Sequence, residues 1–411
     1  MTAPYGLFGA FGVEVEYMLV DRETLSILPI ADRILASLAG EVTSDVEIGP
    51  VTWSNELARH VIELKSTLPA DDLRRLPQPF AAALRDLQPT LEQHGALLLP
   101  TAAHPWMRPD REAQLWPHEG AEIYETFDRI FHCRSHGWSN VQSVHLNLPF
   151  RGDGEFARLH AATRLLLPLL PALAASSPVL EGQLTGLLDT RMLKYAGHCE
   201  AMLSLTGELI PEPVFDEANY RREILGPIAA AFAPHDPAGV MRADFLNARG
   251  AIARFDRGSI ELRVMDVQEQ PGADLALCAA ASSVLRALCD ERWSRLDQQM
   301  RVPTAMLREL LEDTTRQAEH AVIHSADYLS HFGDFAPPLT AGDLWRGLLE
   351  DARGRDETLA QLFAPLQVIL DQGTLATRIC TALGSSFAAD KLLEVYRQLS
   401  DCLIRGESFQ P

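Results

Sequence analysis

Positive charge is scarce in this chain. Thirty-six Lys and Arg face 56 Asp and Glu, a formal net charge of −20 over 411 residues. Such a surface repels polyanions, so neither nucleic acid nor an anionic membrane is an expected partner. It is compatible with an enzyme whose acidic groups are partly neutralised by metal ions. Cysteine is also sparse. The six residues at 133, 199, 278, 289, 380 and 402 show no paired spacing, which fits a reducing compartment and not a disulfide framework. The N-terminus has no basic segment before Arg22, so a secretory signal is not expected. Long apolar runs are missing as well. The greasiest, LLLPLLPALAASSPVL from Leu165, follows Arg164 and contains Pro168 and Pro171. It is too short and too broken for a membrane span of about 20 apolar residues. The expected location is the cytoplasm. Low-complexity linkers and internal repeats are absent too.

What remains is the composition of a soluble globular protein, 47% hydrophobic and 22% charged, long enough for one large domain or two ordinary ones. The first 150 residues mix strand-like and helical segments. An apolar helical stretch lies near 156–175, and short strands recur around 141–149 and 250–268. From about residue 272 the pattern is almost wholly helical: ADLALCAAASSVLRALCDERW, TAMLRELLEDTTRQAEHAVIH and DKLLEVYRQLSDCLIRG all carry helical apolar spacing. This order predicts an α+β fold, an antiparallel sheet with helices packed on one face and a helical C-terminal third.

Four strands share one peculiarity. FGVEVEYMLVD alternates Val13, Val15 and Tyr17 with Glu14 and Glu16. HVIELKS sets Ile62 and Leu64 against Glu63 and Lys65. VQSVHLNLP sets Val144, Leu146 and Leu148 against His145 and Asn147. GSIELRVMD sets Ile260, Leu262 and Val264 against Glu261 and Arg263. Residues two apart in a strand share a face, so each strand packs one face on a core and presents the other. A solvated sheet face needs no special explanation. A merely wet face, however, usually mixes Thr, Ser, Lys and Arg with Glu, whereas here Glu and His take the central positions. Packed together without cations, such carboxylates repel and some take up protons. A divalent cation removes that conflict. Carboxylates with a single imidazole suit Mg²⁺ or Mn²⁺ better than zinc. Zinc has its own candidate in FHCRSHGWSN, where His132, Cys133 and His136 lie close in sequence, but no second cluster of ligands accompanies them.

A hard cation beside arginines points to phosphate. The chain has no G-x-x-x-x-G-K-[ST] loop and no G-x-G-x-x-G turn, so a nucleotide would have to be held by metals and arginines. Arg254, Arg257 and Arg263 crowd the strand of Glu261, and Arg191 follows the turn-like LTGLLDTR. The guanidinium fork matches phosphate oxygens. Each arginine alone reads equally as a surface residue; Arg263 stands out because it shares a face with Glu261.

Read in order, FGVEVEYMLVD, NELARHVIELKST, SVHLNLP, LAASSPVLEGQLTGLLDTR and RGAIARFDRGSIELRVMDVQE resemble successive motifs of the bacterial, second type of glutamate–cysteine ligase, the carboxylate–amine ligases. The resemblance covers about residues 9 to 270, and less specifically the helical tail. It implies a single catalytic domain over residues 1–411, similar to that of glutamine synthetase: an antiparallel sheet whose concave face binds ATP and Mg²⁺ or Mn²⁺. It places Glu14, His145 and Glu261 at one metal site and Glu16 and Glu63, with Glu56, at a second. It puts Arg263, Arg254 and Arg191 on the transferred phosphoryl group, with Arg257 beside them for the nucleotide.

The activity implied is ATP-dependent amide formation through an acyl phosphate, with an amino acid as carboxylate donor, by analogy glutamate, and an amine acceptor, by analogy cysteine. A homodimer through the helical third is compatible with this. The chain departs from the family where TAAHPWMRP has only His104 before its Pro, and where His145-Leu-Asn147 replaces a His-x-His strand. Other readings stay open: a superfamily ligase or guanidino kinase with a different acceptor, a non-catalytic ATP-binding relative, and a zinc hydrolase around His132 and His136.

Overall fold

The computed structural model describes residues 5–237, 239 and 241–411. An antiparallel sheet organises the N-terminal two thirds. Its strands are β1 (Gly12–Asp21), β2 (Asp45–Ile48), β3 (Val51–Asn55), β4 (Val61–Ser66), β5 (Ala96–Leu99) and β6 (Ser143–Pro149). A two-residue hairpin, β7 (Val179–Leu180) and β8 (Gln183–Leu184), lies apart from it. The sheet is completed by β9 (Ala251–Arg254) and β10 (Ser259–Asp266), in the order β2-β3-β4-β1-β6-β10-β9. Met18 pairs with Val61 of β4 and with Leu99 of β5, so β5 extends the edge of β1 that β6 occupies lower down.

Alternation decides the faces, as the sequence pattern predicts. Val13, Val15, Tyr17 and Leu19 are fully buried in a core that includes Phe80 and Leu84 of helix Pro77–Gln93, Phe156 of helix Gly152–Leu166 and Leu285 of helix Pro271–Cys289. The last helix is the one among the described residues long and apolar enough to cross a membrane; 83% of its most apolar window lies inside the protein. The apolar stretch near 156–175 is broken where prolines lack the N–H that a helix needs: helix Gly152–Leu166 passes into a turn at Leu167–Leu169 and a short helix at Pro171–Ala174. The segment from Thr304 is helical only to Gln317, because Ala318 turns to φ 44°, and a two-residue strand at Val322–Ile323 follows.

The helical layer on the apolar face has a counterpart on the other. The face of β1 that begins with Glu14 and Glu16 continues with Met18 and Val20, and these are buried with Leu97 and Leu99 under Ile379 of helix Leu375–Leu383 and Tyr396 and Leu399 of helix Ala389–Arg405. The C-terminal helices therefore cap the apolar end of the polar face and leave its acidic end open. Arg378 anchors this cap: fully buried, it bonds Glu269 at 2.7 Å and the Phe409 carbonyl at 2.6 Å.

Candidate active site

Register carries the polar residues of separate strands into rows. Lys65, Glu14 and His145 are direct cross-strand neighbours on β4, β1 and β6. Ser54, Glu63 and Glu16 form the next row on β3, β4 and β1. Asn147 pairs with Gly12 on one side and Glu261 on the other. Directly opposed Cβ atoms stand only about 4.5–5.5 Å apart, so these side chains meet. Gly12 eases this approach, since a Cβ there would come 3.1 Å from that of Asn147.

The rows are pinned by hydrogen bonds. Ser143 donates its backbone N–H to Glu16 Oε2 at 2.7 Å, and its hydroxyl lies 3.1 Å from the same oxygen and 2.9 Å from His145 Nε2. Asn147 donates to Glu14 at 3.0 Å. Ser54 and Lys65 donate to one oxygen of Glu63 at 2.6 and 2.8 Å. Glu261 lies 3.2 Å from Nε of both Arg254 and Arg263. In β10 two residues, Arg263 and Val264, stand opposite the single residue His145. Such a bulge kinks a strand and re-aims a side chain.

Electrostatics divides the carboxylates into two kinds. Glu261 is buried, which opposes its charge, yet Arg263, His145 and Arg254 hold it down at about 2. Burial raises Glu16, Glu56 and Glu63 above the usual carboxylate range, and their mutual repulsion adds to it: Glu63 acts on Glu16, Glu14 on Glu63, and both Glu16 and Glu63 on Glu56, which is pushed furthest. Burial and Arg263 lower His145, keeping its imidazole neutral. Lys65 is held protonated by Glu63, Glu14 and Glu56 against the effect of burial. A surplus of buried negative charge beside a neutral imidazole is what a cation site needs. One ligand atom each from Glu14, Glu63 and His145 lies within 4.8 Å of the others, so the donor set fits a hard divalent ion. This trio takes Glu14 and His145 from one of the two sites implied by the motifs and Glu63 from the other, while Glu261 is turned to its arginines.

Two clefts meet at these residues. One is bordered by Glu14, Glu63, Lys65, Asn147, Glu261 and Arg254, with exposed Arg257 at its rim. The other reaches Glu16, Arg191, Tyr195, His198, Trp138 and Tyr124. Glu56, His145 and Arg263 line both. The six carboxylate and imidazole candidates for metal and the four arginines singled out from the sequence all line these two spaces. Ser143, Tyr124, Tyr195 and His198 escaped that reading; Ser143 alone carried a signal, two residues before His145 on the same strand face. The His132–Cys133–His136 segment forms no such cluster among the described residues. Cys133 is buried, and His136 bonds Glu181 and Asn140 at 3.3 and 3.0 Å.

Comparison with known proteins finds relatives over most of the chain. The sequence is 30% identical over 404 residues to an uncharacterized protein of Archaeoglobus fulgidus, covering 97% of this chain and 99% of that one. It is 26% identical over 287 residues to a provisionally named glutamate–cysteine ligase 2-3 of Rubrobacter xylanophilus, 68% of this chain and 69% of the relative. The fold is shared with a glutamate–cysteine ligase of Francisella tularensis crystallised in complex with AMP, at a TM-score of 0.63 and 14% identity over 97% of this chain and 90% of that one. The sequence profile of Glutamate-cysteine ligase family 2 matches residues 10–397, and the chain belongs to that family.

Proposed function

We propose that the protein is an ATP-dependent carboxylate–amine ligase that forms an amide through an acyl phosphate, with the γ-carboxylate of glutamate as donor and cysteine as the first acceptor to test. The observation that carries this reading is the meeting of two clefts at Glu56, His145 and Arg263: one space walled by carboxylates and arginines for a nucleotide, the other for the acid and the amine. Glu14, Glu63 and His145, with Glu16, Glu56 and Glu261 around them, would hold Mg²⁺ or Mn²⁺. Such a metal, when bound, neutralises charge on the triphosphate and lets two anions approach.

The protein's own groups do the rest. Arg263 stands at the junction, where burial opposes its charge and Glu261, 3.2 Å from its Nε, upholds it. It can stabilise negative charge on the phosphoryl group as it passes from ATP to the donor carboxylate. Arg254, hydrogen-bonded to Glu261 and to the Asp244 carbonyl, borders the nucleotide side, and Arg191 the substrate side. The amine then attacks the acyl carbon and phosphate leaves. The neutral, buried imidazole of His145 keeps the junction free of a competing cation.

The test is phosphate release from ATP with Mg²⁺ and glutamate, amines being added one at a time. Release that requires glutamate and rises with one amine supports the ligase and names its acceptor. ATP binding without release under any pairing would sink this reading and favour a non-catalytic ATP-binding relative.

A further inference from the structure

Behind Arg191 lies a carboxyl pair that the motifs do not account for. Asp266, the last residue of β10, and Asp189, which precedes helix Thr190–Gly197, are both fully buried. Each uses one oxygen conventionally. Asp189 Oδ1 accepts from the Met192 N–H at 2.9 Å and caps the helix. Asp266 Oδ2 accepts from the Ser176 N–H at 2.8 Å and from the Ser177 hydroxyl at 2.9 Å. The remaining oxygens, Asp189 Oδ2 and Asp266 Oδ1, are buried without a hydrogen-bond partner, and the two residues meet around Ser177, whose backbone pairs with Asp189 and whose hydroxyl reaches Asp266. Two carboxylates are acceptors only, so neither can satisfy the other without a proton. Two bare charges could not stay together in this dry place.

Arg191 is the cation that both acids face, its Nη1 lying 3.6 Å from Asp266 Oδ1. It is itself buried, its Nη2 donates to the Arg263 carbonyl at 2.8 Å, and its Nε is unpartnered where the residue lines the substrate cleft.

We propose that Asp189 and Asp266 share one proton and act as a single monoanion that positions Arg191, and through it the Arg263 backbone, for the substrate carboxylate. The charge count explains the arrangement. One negative charge balances the guanidinium and leaves its Nε without a protein partner. Two would over-neutralise it, and none would leave a buried cation unpaired. Asp189 is the proton-bearing partner, because Asp266 has the hydroxyl, the amide and the guanidinium to stabilise its charge. The role assigned to Arg191 rests on the ligase reading; the proton between the acids does not.

The variants Asp189→Asn and Asp266→Asn separate the two. In Asp189→Asn the new amide keeps an acceptor for the helix cap and supplies a fixed donor to Asp266, reproducing the protonated acid. The Asp189→Asn protein should fold, lack one protonated-carboxyl infrared band that the parent shows at neutral pH, and keep its KM for the donor acid. Asp266→Asn should raise that KM by about tenfold with a smaller change in kcat, the size of one lost charged contact. The double variant should be no worse than Asp266→Asn alone. An infrared difference spectrum with no missing carboxyl band would refute the shared proton, whatever the activity. A band lost as expected, with donor KM unmoved by Asp266→Asn, would refute the positioning role. If the parent turns over no acid at all, the ligase reading fails, while the infrared result still decides the shared proton.

Discussion

The acidic trio makes a quantitative demand on stability. In the metal-free protein Glu16, Glu56 and Glu63 are raised above the ordinary carboxylate value of 4.5 by burial and by one another. A carboxyl whose folded value lies above its unfolded value holds more protons in the folded state, so stability falls as pH rises from about 4.5 through the raised values. A divalent ion bound to the folded state reverses this, and it binds best once its ligands have lost their protons. At a concentration one hundred times its Kd, an ion stabilises by about 2.7 kcal/mol. Unfolding entropy of about 2.1 cal/mol/K per residue, applied to 411 residues, gives roughly 0.9 kcal/mol/K, so the melting temperature should rise by about 3 °C.

The assay is thermal unfolding at pH 8 and at pH 5.5, with and without Mg²⁺ or Mn²⁺. The rise should be larger at pH 8. Glu63→Gln should abolish most of it and should raise the metal-free Tm at pH 8, because one buried charge has gone. Lys65 limits that gain, since its ammonium, 2.8 Å from Glu63, loses a partner and is itself about one third exposed. An equal rise at both pH values, or a Glu63→Gln protein that keeps the full rise, would refute the metal assignment.

Three further outcomes follow from other contacts. Ser143→Ala removes the hydroxyl 2.9 Å from His145 Nε2 and 3.1 Å from Glu16, so metal affinity measured by calorimetry should fall about 10- to 100-fold while stability changes by about 1 kcal/mol or less. Arg263→Lys keeps the charge at the junction but loses the planar fork, and kcat in the phosphate-release assay should fall about 10²- to 10³-fold with the fold intact by circular dichroism. Arg378→Met leaves fully buried Glu269 without its cation and should lower unfolding stability in urea by about 3–5 kcal/mol, with faster proteolysis near Phe409, whose N–H shares the same carboxylate.

How much of this was legible in the sequence depends on the range of each signal. Strand periodicity is local, and it sorted Glu14, Glu16, Glu63, His145, Glu261 and Arg263 onto one face because a pleat leaves no alternative. What periodicity cannot report is register, and register decides which carboxylates become neighbours. Glu63 stands opposite Glu16 and Asn147 opposite Glu261, so the set within reach of one ion mixes residues that motif order keeps apart. The bulge opposite His145 breaks the period of two and is equally invisible. The same limit hides the Asp189–Asp266 pair. Asp189 reads locally as a helix cap and Asp266 as the end of a strand, and each is adequately explained alone. Only when the turn after Leu188 lies against the end of β10 do two ordinary acids become a proton-sharing pair. The Met18–Val20 end of β1 is covered in the same non-local way, by helices from the far end of the chain. The open, acidic part of that face is left for chemistry because apolar side chains two residues along the same strand recruit the C-terminal cap. Where β1 changes from Glu to Met and Val, the face changes from site to core, and that boundary lies between Glu16 and Met18.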